Sequence, residues 1–563
     1  MFKNYAINLE QENRSVYLIG FLCLLVYVGS LFFPLMDKDA AHHANIALHM
    51  LQYNDYLSLV DRDLDYLDKP HLLFWSSALS FKLFGVNTFA HRLPAILYAL
   101  ITLLSTYRLT LRLTDKSTAR LAAIMLATAE GFILSINDAR METPLSAGIM
   151  LGMWQLISYV DTRKWLNLIF AALGAAIAFS TKGWVGPGII FVATFFYILF
   201  QKKWDVLTNI RTWFFIPLLF LFISPVIYAY YYQYDLHPHK VIRSMTNISG
   251  VKFILWEQNF ERFGGDNFNK GGRNSSYFFL YHTFLWAFFP WCLFAYMALV
   301  YWIKRMLVNR EWNTSINFAA LTFGLVLFGI SFSKFKMPHY IFMLMPLASI
   351  FTAVYLRQLL SRETAAKWFL TIHQVFAVLV LIATIALNFY FFKPFSIWVW
   401  IGGGILMIGL LNLMWQRAAD KGLKLVYVSV GFSLLFNFFA NYSFFPNLFK
   451  YQGGNELVKV MKEKGIKIPD EKILLLDNNA HTFDFYLGHN HHVADVLKPE
   501  LLDSSMYYLI SSPIANNLVE KGYRIDTIAS HVDYNVSTLK LKFLNPKTRE
   551  SKLDTLMLAR ILK

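Results

Sequence analysis

The chain has 563 residues, of which 56% are hydrophobic and only 16% are charged. This balance excludes an ordinary soluble globular protein, because too much apolar surface would face water. The formal net charge is +16, but the basic residues follow the membrane topology described below, so nucleic-acid binding is not expected.

Apolar segments long enough to cross a bilayer core of about 30 Å recur along the chain. The first begins near Val16 and is expected to stay in the membrane as a helix, because no signal-cleavage pattern follows it. Thirteen spans are predicted, near 16–36, 93–113, 118–136, 141–160, 164–181, 183–200, 211–231, 276–302, 315–333, 339–360, 367–391, 395–416 and 423–442. The predicted fold class is therefore a polytopic α-helical membrane protein.

Basic residues concentrate in the short connections after the even-numbered spans. Examples are Arg163 and Lys164, Lys304 and Arg305, and Lys421. By the positive-inside rule these connections face the cytoplasm and the N-terminus lies inside. With thirteen spans, the loop 37–92 and the tail from 443 onward then lie on the outer face.

The composition becomes mixed after Pro446, where the spans end. Amphipathic and alternating patterns predict helices at 455–464 and 513–521 and strands at 472–476, 506–511 and 556–562. We therefore expect two domains, a membrane domain 1–442 and an outer α/β domain 443–563. His489, His491 and His492 favour a solvated loop over a metal site, because no Cys or carboxylate lies at ligand spacing.

Asp39 opens the outer loop 37–92 and precedes apolar residues at helical spacing up to Leu51. One interpretation is that its carboxylate caps this helix. The other is that a carboxylate at the lipid–water boundary acts as the general base on an acceptor. The residues alone leave both open.

Two further clusters in the outer regions carry ionisable side chains. Lys69, beside an aromatic and apolar stretch, would either snorkel to lipid headgroups or bind the phosphate of a membrane-borne substrate. Asp138, Arg140 and Glu142 lie together at the outer end of a span. Three such groups at one helix mouth are costly unless they are paired or used.

These segments resemble the aminoarabinose-transferase branch of the polyprenyl-phosphate-dependent GT-C glycosyltransferases. The resemblance covers roughly residues 20–350 and rests on the order and spacing of several short motifs. They are Asp39 to Leu51, Asp68-Lys69-Pro70 with Phe74-Trp75, Phe84-Gly85, Arg92-Leu93-Pro94, Arg140-Met141-Glu142, Thr181-Lys182-Gly183, Glu257 to Phe263, and Ser333-Lys334 with Met337-Pro338-His339-Tyr340.

The resemblance implies a role for each matching position. Asp39 would activate the acceptor, Glu142 would be the second acidic position, and Lys69 would contact the lipid-linked phosphate. Arg140 and Arg262 are further candidates for stabilising that phosphate. A divalent metal ion would be held by Asp68 and His339.

The chain departs from the family pattern at three places. The usual Glu and Arg-Tyr after the first Asp are here Ala40 and His42-His43, and the usual Glu before the Lys is the shorter Asp68. The mechanism implied by the resemblance is unchanged, but the sugar and the acceptor stay open.

The expected function is transfer of a sugar from a polyprenyl (undecaprenyl) phosphate to a lipid A-like or other cell-envelope acceptor. The reaction would be a single inverting displacement on the periplasmic face of the bacterial inner membrane. No nucleotide cofactor is expected, since the sequence shows no Gly-rich phosphate loop. The expected partners are the lipid-linked donor, a lipid or glycan acceptor and membrane lipids.

Two kinds of alternative remain. Within the same fold, the enzyme would glycosylate proteins or extend a lipid-linked glycan. Outside the class, a transporter or flippase would carry ionisable residues at mid-bilayer and a repeat relating two halves, and the sequence shows neither.

Overall fold

The computed structural model describes residues 13–242, 245–259, 276–392, 396–416, 420–477, 480–495, 498, 500 and 502–562. Within these residues a bundle of apolar helices is followed by a small α/β domain. The fold class predicted from the sequence is thereby confirmed.

Most helices before the C-terminal domain coincide with the predicted spans, singly or as tandem pairs, whereas His42–Tyr53 and Leu72–Phe84 lie in the predicted outer loop 37–92. Helices α1 to α9 are Asn13–Ser30, His42–Tyr53, Leu72–Phe84, Thr88–Leu113, Lys116–Ala127, Glu130–Asn137, Glu142–Thr162, Trp165–Lys182 and Val185–Gln201. The long helices that follow are Phe215–Tyr230, Phe279–Ala287, Cys292–Leu307, Asn317–Ser331, Met345–Leu360, Glu363–Ile385, Ile397–Gln416 and Lys421–Phe439.

The number of helices able to cross a membrane alone is smaller than the thirteen predicted. Among the described residues, eight are long and apolar enough, or nine if α5 and α6, bent by 56°, form one span. Some predicted spans are shorter helices, such as Val185–Gln201 with 17 residues and Asn317–Ser331 with 15. The predicted span 276–302 is divided between two helices.

Helices α7 and α8 lie in close antiparallel contact because glycines line their interface. A Cβ atom added to Gly148 would lie 2.5 Å from the backbone nitrogen of Ala178, and one added to Gly174 would meet the backbone of Gly152. Only residues without a side chain permit this approach. The contact brings the first residue of α7, Glu142, beside the last residue of α8, Lys182.

The C-terminal domain is built on a five-stranded sheet. Strands β3 to β7 are Ile473–Leu475, His492–Val493, Tyr507–Ser511, Arg524–Asp533 and Asp554–Leu562, whereas β1 and β2 form a separate hairpin at Val60–Asp61 and Leu64–Asp65. The sheet order is β4-β3-β5-β7-β6, with β3 parallel to β4 and β5 and with β7 antiparallel to its neighbours. Helices Gly453–Glu463 and His481–Leu487 cover one face, and Ser512–Glu520 covers the other.

This domain holds the segment that carries Asp39 in place. The carboxylate of Asp37 accepts a hydrogen bond of 2.8 Å from the backbone N–H of Thr482. The guanidinium of Arg62 donates one of 2.9 Å to the buried carboxylate of Asp484. The C-terminal domain and the outer loop therefore form a joint polar interface.

The histidines expected in a solvated loop belong partly to that interface. His491 is 2% exposed, and its ring nitrogen lies 2.8 Å from the Asp484 carboxylate. His489 contacts Gln52 of α2 at 2.8 Å, and the exposed His492 contacts Asp63 of the outer loop at 2.5 Å. The expectation was wrong for His491, whose ring is buried against Phe483 and Asp484 of the C-terminal domain itself.

Candidate active site

Two cavities meet at the beginning of α2 and share a wall made by Asp39, Arg140, Met337 and His339. The first, of about 700 Å³, is lined by polar and charged side chains, and we call it the ionic cavity. The second, of about 650 Å³, has a mainly aromatic and apolar wall, and we call it the apolar cavity. The side chains that line only the apolar cavity include Phe33, Trp286, Phe342, Phe445 and Phe449.

Asp39 stands on the shared wall with its carboxylate accessible. A π-helical turn, Asp37–Ala41, precedes α2, and no side chain caps either element. The Asp39 carboxylate instead lies 3.2 Å from the Arg140 guanidinium, and the side chain remains 49% exposed. The capping role of Asp39 is therefore excluded. Its carboxylate is accessible, and the contact with Arg140 fixes its direction.

Arg140 connects the charged groups of the shared wall. Its guanidinium lies 2.7 Å from Asp138 and 3.1 Å from the Nδ1 atom of His339. Burial raises the pKa of Asp138 to about 6, although Arg140 acts in the opposite direction. Arg140 is therefore held by its neighbours at the junction of the two cavities.

Lys69 and Asp68 both line the ionic cavity, as the motif requires. The ammonium of Lys69 lies 2.7 Å from the Asp68 carboxylate, and the Lys69 side chain is 17% exposed.

His43 lies in the wall of the same cavity. Burial, followed by His42 and the cations nearby, lowers the pKa of His43 well below its usual value. His43 is therefore a neutral wall residue near neutral pH.

Glu142 is not an accessible carboxylate. Its side chain is 3% exposed and forms an ion pair with Lys182, whose ammonium lies 4.6 Å from the centre of the Tyr340 ring. Because Glu142 begins one helix and Lys182 ends another, each charge is also stabilised by the helix dipole. The predicted second acidic residue thus lies in the cavity wall as half of a buried ion pair.

The two predicted metal ligands both line the ionic cavity but lack a third partner. His339 directs its ring nitrogens toward Arg140 and toward Glu142, the latter at 3.7 Å. The described part of the chain contains no group of three His, Cys, Asp or Glu side chains able to hold a metal ion. A metal ion stays a prediction.

Sequence reasoning gave no role to Lys182 and Tyr340, although both stand in motifs of the resemblance. Both line the ionic cavity and a smaller cavity of about 120 Å³ beside it. The sequence signal for Lys182 was its position before Gly183, because glycine commonly follows the last residue of a helix. In the structure the helix does end at Lys182, and Gly183 has a φ of +68°. Arg262, a predicted phosphate ligand, lies outside the described residues.

Among the residues that the structure describes, the ionic cavity brings three cations together with four carboxylates along its wall. Lys69, Arg140 and Lys182 line it, and each is paired with a carboxylate. Cations held in a partly enclosed site stabilise a developing negative charge better than they do in water. The Asp39 carboxylate lies next to this site and also faces the apolar cavity.

Comparison with known proteins agrees with this architecture. Residues 68–229 match the family model described as dolichyl-phosphate-mannose-protein mannosyltransferase. The crystal structure of ArnT from Cupriavidus metallidurans bound to undecaprenyl phosphate superposes with a TM-score of 0.72 at 15% identity, and the match covers 96% of this chain and 97% of that one.

Similar sequences include an uncharacterized protein of Aquifex aeolicus, 27% identical over 66% of this chain and 70% of that protein. Another is the undecaprenyl phosphate-alpha-4-amino-4-deoxy-L-arabinose arabinosyl transferase of Photorhabdus laumondii, 23% identical over 34% of this chain. That alignment spans 36% of the length of the Photorhabdus protein.

The fold and these matches support a membrane glycosyltransferase with the GT-C fold. More particularly, the chain is similar to the ArnT branch of these enzymes, as the motifs predicted. The apolar helices together with the relatives indicate a multi-pass protein of the inner membrane.

Proposed function

We propose that the chain transfers a sugar from polyprenyl phosphate, of the undecaprenyl type, to a lipid A-like acceptor of the cell envelope, with inversion at the sugar carbon. The observation that carries this proposal is the position of Asp39 on the wall shared by an ionic and an apolar cavity. A transferase needs its base between the two substrates, and this geometry supplies such a position.

The donor is assigned to the ionic cavity. Its phosphate would lie among Lys69, Arg140 and Lys182, and its polyprenyl chain would leave along the smaller cavity lined by Val185, Ile330 and Met343. When the bond between sugar and phosphate breaks, its electron pair passes to the phosphate oxygen, where these cations stabilise the charge.

The acceptor is assigned to the apolar cavity, whose aromatic wall suits the apolar part of an amphipathic molecule. Its hydroxyl oxygen would attack the sugar carbon from the face opposite the phosphate while Asp39 takes the hydroxyl proton. One bond forms and one breaks in a single displacement, which inverts the configuration. The proton leaves on Asp39, and polyprenyl phosphate is the second product.

A protein acceptor is the second candidate, because the matching family model is described as a protein mannosyltransferase. The two candidates differ in the product. Purified enzyme incubated with radiolabelled polyprenyl-phosphate sugars and cell-envelope extract would label either a lipid fraction or a protein fraction. The Asp39→Asn variant serves as the inactive control.

With the parent enzyme, the expected result is label in a lipid other than the donor, separated from it by chromatography, whereas with the control the lipid label stays in the donor. Label in protein would replace the acceptor assignment and keep the enzyme class. Absence of transfer from every polyprenyl-phosphate sugar, with enzyme shown to be folded, would contradict the proposed donor.

The active site is proposed to face the periplasm, as the distribution of basic connections indicates. The C-terminal domain contacts the Asp39 segment, so both lie on one side of the membrane. Alkaline phosphatase fused to the C-terminus should be active, and a reporter that works only in the cytoplasm should be silent. The reverse pattern would place the site on the cytoplasmic face.

A further inference from the structure

The segment Tyr534–Arg549 of the C-terminal domain combines exposed leucines with basic residues. We call it the basic edge. It contains Lys540, Lys542, Lys547 and Arg549 and no acidic residue. Leu541 is 82% exposed and Leu539 is 42% exposed. Together with the neighbouring lysines, these leucines give the edge an amphipathic surface that suits an amphipathic partner.

The basic edge lies against the ends of membrane helices. Arg549 donates a hydrogen bond of 2.7 Å to the backbone carbonyl of Phe391, the last residue of the candidate span Glu363–Phe391. Its guanidinium also lies 4.5 Å from the centre of the Phe392 ring. Val536 and Phe543 pack in one apolar cluster with Phe33, which follows the candidate span Asn13–Ser30, and with Phe444 and Phe449 in the last turns of the candidate span Lys421–Tyr451. The edge is therefore placed where these spans leave the apolar core of the bilayer.

The exposure of the leucines is a built feature of the edge. The rings of Tyr534 and Phe543 stack with their centres 3.7 Å apart. Arg549 is 9% exposed and donates hydrogen bonds to the backbone carbonyls of Phe543 and Leu544 at 3.0 Å and 2.9 Å. These contacts fix the fold of the edge while they leave Leu541 directed outward.

We propose that the basic edge docks the C-terminal domain on the membrane surface. Leu539 and Leu541 enter the interfacial layer, and Lys540, Lys542 and Lys547 bind the phosphates of anionic lipid headgroups. The argument for this occupant is charge complementarity together with position, because exposed leucine and lysine side chains at the level of the headgroups match a lipid surface on both counts.

Docking would also act on the candidate active site. Ser537 and Thr538 of the same segment line the apolar cavity. A docked edge therefore opens that cavity at the lipid surface, from which an amphipathic molecule enters without crossing water. The docking itself does not depend on the proposed transfer reaction.

A fluorophore at position 541 tests the docking in the full chain. Leu541→Cys is labelled with an environment-sensitive probe and reconstituted into vesicles of neutral lipid or of neutral lipid mixed with phosphatidylglycerol. The natural cysteines, Cys23 and Cys292, are both buried. Val519→Cys is the matched control, since Val519 is 55% exposed on helix Ser512–Glu520, whose buried residues Ala515 and Leu518 pack on the sheet of the C-terminal domain.

The probe at 541 should be shielded from a water-soluble quencher in anionic vesicles, and the probe at 519 should not. Each lysine should contribute about fivefold to the ratio of docked to undocked states. Replacing Lys540, Lys542 and Lys547 together by Gln should abolish the difference between anionic and neutral vesicles. Equal quenching at both positions in anionic vesicles would overturn the docking. Shielding at 541 that is indifferent to lipid charge and to the lysines would overturn the binding of headgroup phosphate.

Discussion

Replacing Glu142 by Gln should destabilise the protein through Lys182, whatever role Glu142 has in chemistry. The Glu142 side chain is 3% exposed and that of Lys182 is 12% exposed. Removing one partner of a buried ion pair leaves the other charge unpaired, at a cost of about 3–5 kcal/mol. Because Lys182 also faces the ionic cavity and reaches some water, we expect the lower end, about 3 kcal/mol.

A double variant tests whether the unpaired lysine causes the loss of stability. Glu142→Gln combined with Lys182→Met removes both charges at similar volume and should recover most of the lost stability. Transfer is not expected to return with it, because Lys182 is also proposed to bind the donor phosphate, so the double variant reports on stability alone.

The assay is thermal unfolding of the detergent-solubilised protein, followed by the transfer assay on the same samples. Glu363→Gln is the matched control, because Glu363 pairs with Lys367 at 3.0 Å on an exposed surface, with 73% of its side chain accessible. No measurable loss is expected there. A Glu142→Gln variant as stable as this control would refute the reasoning, since the ion pair would then contribute nothing to the fold.

Three further predictions concern single side chains of the outer loop. Asp39→Asn should lower turnover by about 10²–10⁴-fold without loss of stability, and near-normal turnover of the folded variant would remove Asp39 from the mechanism. Lys69→Ala should weaken the binding of polyprenyl phosphate, measured directly by titration. Lys69→Arg should restore part of this binding, because guanidinium also pairs with phosphate. Unchanged binding by the Ala variant would shift the assignment of the phosphate site to Arg140 and Lys182. Burial, together with the nearby Asp533, raises the pKa of Asp37 from 3.8 to about 7. The Asp37 carboxyl therefore holds its proton more tightly in the folded state than in the unfolded chain. The stability of the folded state should fall as pH rises from about 4 to about 7. Asp37→Asn should therefore raise the midpoint temperature of thermal unfolding at pH 8 but not at pH 4. An equal change of the midpoint at both pH values would contradict the raised pKa of Asp37.

Much of the bundle follows from local sequence. Each predicted span is largely helical, as one helix or as two in tandem, because a helix satisfies the backbone hydrogen bonds of an apolar run within the run itself. The number of independent spans could not be read in the same way. Whether a run crosses as one helix depends on breaks such as that between Ala127 and Glu130, where the backbone carbonyl of Thr128 accepts a hydrogen bond from the distant Ser433.

In the C-terminal domain, too, some elements could be predicted from the local sequence and others could not. Strands Tyr507–Ser511 and Asp554–Leu562 were predicted from their apolar pattern, whereas Arg524–Asp533 was missed. That strand lies at the sheet edge and mixes exposed with partly buried residues, so its sequence carries a weak signal. Its position is decided by pairing with the last strand.

For the candidate site, the sequence by itself determined the residue types and their order along the chain. The motifs around Asp39, Lys69 and Arg140 predicted the class of enzyme through their resemblance to the aminoarabinose-transferase branch of the GT-C glycosyltransferases. Tertiary structure alone decided which of them are accessible. Glu142 is buried against Lys182 because glycines bring two helices together, and Asp39 is left exposed because Arg140 holds it between two cavities. Pairing and burial arise between segments far apart in the chain, and a local pattern carries no record of such contacts.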